Sequence, residues 1–388
     1  MTRLGVIGCG ARVSAMIKHC FRDVDPELRV VGVVDPDEPA ARARLEEADR
    51  DARFYPDLKA LVREARPDAL AIGTRCHLHT PFAVQAAAYD IPLFLEKPVS
   101  NSMAQALSLE KAFRKSKCPV IVSFPLRVSP LCDMARRLIE DGSIGAPEHI
   151  LGVNYVPYGM GYFEQAYREF AITQGLFLQK ATHDFDYMAC LMGQPIVRVS
   201  AMASRGRILG GRKPAGLFCS KCPDKETCLE SPANRKRNGS GGMLSDHLCV
   251  FGRDIGNPKD GMNEDSSSAL LEFANGTHGL YTQVFYSRRD AAARGSTISG
   301  YHGTIAFDWY KNEMRRIRHH EPFSDTIKPA DGMSHFGGDL ELAHEFINLI
   351  RGRPSKRLSI WDGLRSVYAC LAAKEAAETG KSVQVRQV

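Results

Sequence analysis

The sequence predicts a two-domain protein: a parallel, doubly wound α/β sheet followed by an α+β domain rich in antiparallel strands. Three observations predict this. Short apolar runs alternate with helical patterns up to Val122, joined by short links, as in right-handed βαβ units. The first run passes directly into a glycine turn, Gly8-Cys9-Gly10. From Ser267 onward, apolar and polar residues alternate between turn signals, which reads as antiparallel strands with one buried face. At 388 residues the chain is long enough for two cores.

Composition narrows the class. A net charge of +6 is modest for this length and argues against a nucleic-acid partner. No apolar run reaches the length of a membrane span, and the N-terminus enters a strand with no signal-peptide pattern, so the expected location is the cytoplasm. Of the eleven cysteines, Cys9, Cys118 and Cys370 lie in apolar settings that suit reduced, buried thiols.

In chain order, Arg3–Gly8 is a strand, the glycine turn follows, and Ser14–Cys20 is a helix. This is a dinucleotide-binding pattern. Gly8 makes the tight turn and Gly10 admits a pyrophosphate, so the loop Gly8, Cys9, Gly10, Ala11, Arg12 and Val13 is the predicted cradle. Val13 stands where the pattern has its third glycine. The strand Arg29–Val34 ends in Asp35, placed to bind ribose hydroxyls and to repel a 2′-phosphate, which favours NAD over NADP. The charged stretch Ala40–Asp49 and the segment Asp57–Glu64 read as helices, Ala69–Gly73 as a buried strand, and Phe82–Tyr89 as a helix after Pro81. Ile91–Leu95 is the strand that delivers Glu96-Lys97-Pro98. Ligands in open α/β sheets bind beyond the carboxyl ends of the strands, which puts Lys97 in the crevice. The helix Met103–Ser116 and the strand Val120–Val122 complete this half.

The second half opens with a helix, Leu131–Asp141, and a strand, Glu148–Tyr155. Tyr155, Tyr158, Tyr162, Phe163 and Tyr167 crowd the next stretch; their rings suit a sugar, an interface or a loop core. Gly175–Leu191 reads as an amphipathic helix with Gln179, His183 and Asp186 on one face and Lys180 within reach of His183. A histidine titrating near neutrality is a natural base for a hydroxyl proton. Asn275-Gly276 marks a hairpin turn. Asp339–Ile350 and Leu364–Glu378 are helices, with Gly380 as a C-cap.

The motifs Gly5-Val6-Ile7-Gly8-Cys9-Gly10, Asp35, Thr74–His79, Glu96-Lys97-Pro98 and Asp362-Gly363 resemble the glucose-fructose oxidoreductase / inositol dehydrogenase / rhizopine-catabolism (Gfo/Idh/MocA) family of NAD(P)-dependent oxidoreductases. The resemblance runs over nearly the whole chain. It implies a Rossmann domain over residues 1–125. A substrate-binding and oligomerisation domain over 126–388 would be built on a large open, mainly antiparallel sheet, with the C-terminal helix packing back on the first domain. It implies sugar, cyclitol or glycoside substrates, and a homodimer or homotetramer formed through the outer face of that sheet. It sets Lys97 beside the nicotinamide and puts Thr74, His79 and Glu96 among the cofactor contacts. Two departures stand out. Arg75 replaces the family's usual proline, and Gln179 replaces an aspartate four residues before His183. Either Asp184 or Asp186 would then orient His183, or Lys180 would polarise the substrate oxygen.

A Pro/Gly/Lys-rich insertion over about 210–242 carries Cys219, Cys222 and Cys228 at metal-ligand spacing, with Cys249 as the fourth ligand and His247 as runner-up. The expectation is a structural zinc ahead of a disulfide or free thiols. The run Arg235-Lys236-Arg237 reads as a solvated loop.

Together these readings predict an NAD-dependent oxidoreductase acting on a CH–OH group of a sugar, cyclitol or glycoside. Lys97 and His183 are the catalytic pair. Lys180, Gln179, Asp186, Arg127, Tyr158 and Tyr162 are the substrate contacts. Two alternatives keep the cofactor: glycoside cleavage by transient oxidation and elimination, and dinucleotide sensing without turnover.

Overall fold

The structure is a computed structural model that describes residues 1–157, 159, 161–253, 262–329, 334–353 and 358–388. The chain divides into two compact units. One comprises Met1–Asp133, Ala330–Tyr368 and Val388, the other Met134–Pro329 and Ala369–Gln387.

In the first unit, β1 (Arg3–Ile7), β2 (Arg29–Val34), β3 (Arg53–Phe54), β4 (Ala69–Ile72), β5 (Leu93–Leu95) and β6 (Val120–Val122) form one sheet in the order β3-β2-β1-β4-β5-β6. All of its pairings are parallel. The strand order reverses between β1 and β4, the switch point where such sheets bind ligands. Apolar runs unbroken by polar residues form these strands because both faces are covered; β4, β5 and β6 are buried throughout.

Residues 338–353 and 358–368 join this unit through long-range packing. Phe346, on the helix Gly338–Ile350, meets Phe21 and Phe94 at ring separations of 5.1 and 5.5 Å. Val122 N–H donates to Leu358 O at 2.8 Å. Tyr368 OH donates to Glu110 Oε2 at 2.7 Å. The helix Ile360–Thr379 therefore supplies its first half to this unit and its remainder to the other.

Two helices differ from the sequence expectation for physical reasons. The helix before β5 spans Cys76–Ala86 and contains Pro81 rather than starting after it. A proline costs the carbonyl four residues back its partner, and here His77 O is served by Gln105 Nε2 at 2.9 Å. The charged stretch after Asp35 forms only the short helix Glu38–Arg42 and a 3₁₀ turn, Glu47–Asp49, since it offers few apolar positions for packing.

Val13 in place of a third glycine has a visible counterpart. A Cβ at Gly73 would overlap Val13 Cγ2, so the small residue needed for close helix–strand contact sits on β4's exit instead of on the helix. Gly73→Ala is expected to destabilise the first unit by about 1–3 kcal/mol, and Val13→Gly in the same chain is expected to restore most of it. Thermal unfolding of the two variants is the check.

In the second unit, β7 (Pro147–Pro157), β8 (Ile196–Ser204), β9 (Ser266–Phe273), β10 (His278–Ser287), β11 (Ala293–Gly300), β12 (Gly303–Asp308), β13 (Glu313–Arg318), β14 (Ser324–Ile327) and β15 (Val383–Gln384) form an open sheet. Its order is β14-β13-β12-β11-β7-β10-β9-β8-β15. It is antiparallel except where β7 runs parallel to β10. Asn275-Gly276 forms the predicted hairpin turn, with Gly276 at φ +85° and Thr277 N–H donating to Asn275 Oδ1. One face of the sheet is covered by the helix Thr182–Met192. Phe185 meets Tyr281 edge-on at 5.3 Å and Tyr187 meets Trp309 at 5.0 Å. Gly152 leaves room for Met188, whose sulfur would lie 2.6 Å from a Cβ there. Leu151, Tyr155, Met202, Leu270, Leu280 and Tyr286 are exposed.

Candidate active site

The first unit gathers its functional residues at the carboxyl ends of β1, β2, β4 and β5. Gly8, at φ +80°, is held where a Cβ would come within 2.6 Å of Thr74 N, so only glycine makes this turn. Gly10 differs. A Cβ there would meet only Gly73 O, at 3.8 Å, so the chain itself does not require the smallness of this position. Gly10 is the N-cap of the helix Ala11–Met16 and gives it no side-chain cap. Uncapped N–H groups at a helix start, beside space a Cβ would fill, fit a dinucleotide's pyrophosphate. Asp35 accepts from Cys9 N–H at 2.8 Å and from Asp37 N–H at 2.9 Å. This carboxylate is therefore oriented beside the glycine turn before any ligand arrives.

His79 is buried. Its Nδ1 lies 2.8 Å from Pro98 O and its Nε2 3.0 Å from Thr74 O. Burial lowers its pKa despite those carbonyls, and the ring sits between Thr74 and the Lys97-Pro98 turn. The peptide bond between Lys97 and Pro98 is cis. Lys97 is partly exposed, while Glu96 before it is buried.

Glu96 Oε1 accepts from Arg12 Nε and from Ser123 Oγ, each at 3.0 Å. The terminal nitrogens of Arg12 form a fork on Asp339, both at 2.7 Å. His335 Nδ1 lies 2.8 Å from the same carboxylate. The side chains of Arg12 and Glu96, expected on the cofactor, thus face protein partners. Burial alone would raise the Asp339 carboxyl, but hydrogen bonds from Arg12 and His335 outweigh it and hold the group well below the usual carboxylate range. A carboxyl with a folded pKa below its unfolded value stabilises above about pH 4 and loses that contribution as pH falls. The stability gap between the wild type and Asp339→Asn is therefore expected to be full at pH 7 and to narrow below pH 4 in urea titrations.

Arg127 lies on the helix Pro125–Val128, its NH1 3.3 Å from Asp362 Oδ1. Asp362 also caps its own helix through Ser359 N–H and Oγ. A Cβ at Gly363 would come within 2.7 Å of Val99. The Asp362-Gly363 pair is thus a packing feature at the start of the last helix.

In the second unit, His183 stands on the helix Thr182–Met192, entered through a π-helical turn, Phe177–Ala181. The wide turn carries Gln179 and Lys180, so the regular four-residue spacing begins only after them. His183, Gln179 and Asp186 are all buried. Lys180 Nζ sits 5.8 Å from the centre of the Tyr162 ring, which brings two predicted substrate contacts together. Burial raises the Tyr162 phenol, leaving it protonated. Tyr162 packs on a small core of Val156, Phe163, Leu176, Leu209, Val250 and Phe285, whereas Tyr155 and Tyr167 are exposed. The rings of Tyr162 and Tyr167 nevertheless meet, 6.0 Å apart. Tyr158 lies outside the described residues.

Asp184 is fully committed elsewhere. Its Oδ1 accepts from Arg294 Nε at 3.1 Å; its Oδ2 accepts from Arg294 NH2, Asn154 Nδ2 and Tyr281 OH at 2.9–3.0 Å. It anchors the His183 helix to β7, β10 and β11. A second anchor was hidden in the sequence. Glu264 accepts from Leu176 N–H at 2.6 Å and from Arg205 at 2.9 Å, placing a carboxylate at the start of this helical segment, where the dipole favours it.

The zinc expectation finds no support. Among the described residues, no group of three or more His, Cys, Asp or Glu side chains is placed to hold a metal ion. Cys219, Cys222, Cys228 and Cys249 are free thiols. Burial, with Cys249 and Cys228 nearby, pushes Cys219 up to about 12. His247 turns Nδ1 toward Leu248 O at 2.8 Å. Arginines make the strong contacts in and around the insertion. Arg235, on the helix Pro232–Asn238 rather than in a solvated loop, is fully buried between Glu164 at 2.7 Å and Glu230 at 3.0 Å. Arg168 binds the carbonyls of Phe163, Cys249 and Arg253.

Comparison with known proteins agrees with this geometry. Residues 2–124 match the family model described as an oxidoreductase family with an NAD-binding Rossmann fold, and residues 133–306 match the GFO/IDH/MocA C-terminal domain. The Bacillus subtilis protein YteT, named as an oxidoreductase, is 23% identical over 351 residues, covering 83% of this chain and 78% of that one. Inositol 2-dehydrogenase 1 of Saccharopolyspora erythraea is 26% identical over 204 residues, or 52% of this chain and 58% of that protein. The chain thus spans little more than half the length of this inositol dehydrogenase. The structure of a levoglucosan dehydrogenase with NADH and levoglucosan superposes with a TM-score of 0.76 at 17% identity, covering all of both chains. The parallel sheet with its glycine turn, the open second sheet and both family matches lead to one conclusion: the chain belongs to the Gfo/Idh/MocA oxidoreductase family, with an NAD-binding Rossmann domain at its start.

Proposed function

We propose that the protein oxidises a secondary alcohol of a sugar or cyclitol with NAD as hydride acceptor. The observation that carries this reading is the placement of Lys97. It follows the end of β5, on a segment held by His79 and, through Glu96, by Arg12 from the loop after β1. Inositol 2-dehydrogenases and levoglucosan dehydrogenase among the related proteins support the substrate class.

NAD, when bound, supplies the hydride acceptor. Gly8 and Gly10 would receive its pyrophosphate and Asp35 its adenosine ribose. Lys97 would hold and polarise the reacting oxygen, and His183 would take the hydroxyl proton. Lys180 and Tyr162, already in contact with each other, would bind the remaining hydroxyls.

The test is a panel of inositols, free sugars and glycosides with NAD, following NADH absorbance and free-sugar release together. NADH formation on a cyclitol or sugar is the expected result. Sugar release without net NADH would replace this reading with redox-assisted glycoside cleavage. NAD binding with silence in both channels would replace it with a sensor.

Cofactor choice follows from Asp35. Its carboxylate repels a 2′-phosphate, so Asp35→Asn is expected to lower the NADH-over-NADPH affinity ratio at least about tenfold, by removing a charge repulsion and a charge-assisted hydrogen bond. Fluorescence titration with each reduced cofactor measures it without a substrate.

A further inference from the structure

We propose that Arg12 is a positioning residue that fixes Lys97 through Glu96, a role resting on the reading of Lys97 as the residue that touches the substrate oxygen. The argument begins with Glu96. It is the single residue between β5 and Lys97, and its N–H is held by Ile72 O at 3.0 Å. Its carboxylate turns inward and is buried. A buried carboxylate needs a cation and hydrogen bonds. Arg12 Nε and Ser123 Oγ supply them, both at 3.0 Å from the same oxygen.

Arg12 is itself fixed from a third direction by the fork on Asp339. One planar guanidinium therefore ties the first turn after Gly10 to the residue that delivers Lys97, to the end of β6 through Ser123, and to the start of the helix Gly338–Ile350. Its donors are spent on protein carboxylates, which separates Arg12 from the neighbouring loop positions expected to meet the pyrophosphate. A lysine here would keep the charge but lose the fork.

The charge balance gives the link a measurable consequence. Arg12 offsets the Glu96 carboxylate next to the Lys97 ammonium. Cys76 and His79 lie within electrostatic reach of both Glu96 and Lys97, and Asp339 and His335 belong to the cluster around Arg12. Loss of Arg12 leaves Glu96 uncompensated and favours the charged amine at 97. Loss of the Glu96 charge does the reverse.

The experiment uses the full chain and needs no substrate for its first arm. Acetic anhydride labelling of Lys97, read by peptide mass spectrometry across pH, gives the midpoint at which the amine becomes reactive. Arg12→Gln is expected to raise that midpoint, Glu96→Gln to lower it, and the double variant to return it toward wild type. NADH binding is expected to stay within threefold in Arg12→Lys. On the panel substrate, the same variant is expected to lose at least tenfold in kcat with KM within threefold. Unchanged midpoints in Glu96→Gln and in whichever Arg12 variant folds would overturn the coupling, as would a loss of NADH affinity that tracks the loss of kcat. Opposite midpoint shifts without turnover on any panel compound would overturn the dehydrogenase reading and leave the coupling standing. Turnover with unchanged midpoints would do the converse.

Discussion

Lys97→Met is expected to lower turnover about a thousandfold while NADH binding stays within about threefold. General acid–base or electrostatic help from a positioned side chain is worth about 10²–10⁴ in rate. The size of the effect follows from where the side chain sits. Lys97 is partly exposed, two residues past a strand whose own residues are buried, so its loss empties no core. The glycine turn and Asp35 lie on β1 and β2 and keep their own hydrogen bonds. Parallel NADH titration and steady-state rates on the panel substrate separate the two effects. A variant that loses both together would place Lys97 in cofactor binding alone.

The second large effect concerns stability. Asp184→Ala would leave Arg294 buried, with its cation facing Tyr281 and Asn154 in place of a carboxylate. Burial alone would lower the Arg294 pKa, but Asp184 outweighs it and raises it. Removing one partner of a buried pair typically costs about 3–5 kcal/mol. Both side chains are almost completely shielded from solvent, so screening does not discount this. Replacing both partners, as Asp184→Leu with Arg294→Met, is expected to recover most of the loss. Of the two tryptophans, Trp309 is buried against Tyr187 in this unit. Its fluorescence in a Trp361→Phe background reports urea unfolding of the second unit directly. The His183 helix is anchored by the same carboxylate, so the single variant is also expected to lose activity.

What was legible in the sequence was local. Gly8, Gly10, Asp35 and Glu96-Lys97-Pro98 each sit at the end of a short apolar run, and a parallel strand followed by a turn can be read from neighbours alone. The Asn275-Gly276 hairpin is of the same kind. What escaped depends on partners far apart in the chain. Arg12 meets Asp339, Leu176 meets Glu264, and Asp184 meets Arg294; no periodicity announces such pairs. Arg235 read as surface because it opens a run of three cations, yet its partner Glu164 lies in a different part of the chain and draws it inside. The four cysteines carried a convincing spacing, but the contacts that hold Arg235 in the insertion come from Glu164 and Glu230. Pro81 appeared to forbid a helix start before it, because the side chain that satisfies His77 O comes from Gln105. These are failures to foresee non-local compensation, and they concentrate around the two segments that bear Lys97 and His183.

The central claim is hydride transfer from a carbon of the substrate to the nicotinamide, and isotopic labelling tests it most directly. The preferred panel substrate, deuterated at its carbinol carbons, would be turned over with NAD. The account predicts reduced cofactor carrying one deuterium and a primary isotope effect on the single-turnover rate, both abolished with turnover in Lys97→Met. Product formed with no deuterium in the cofactor would contradict it.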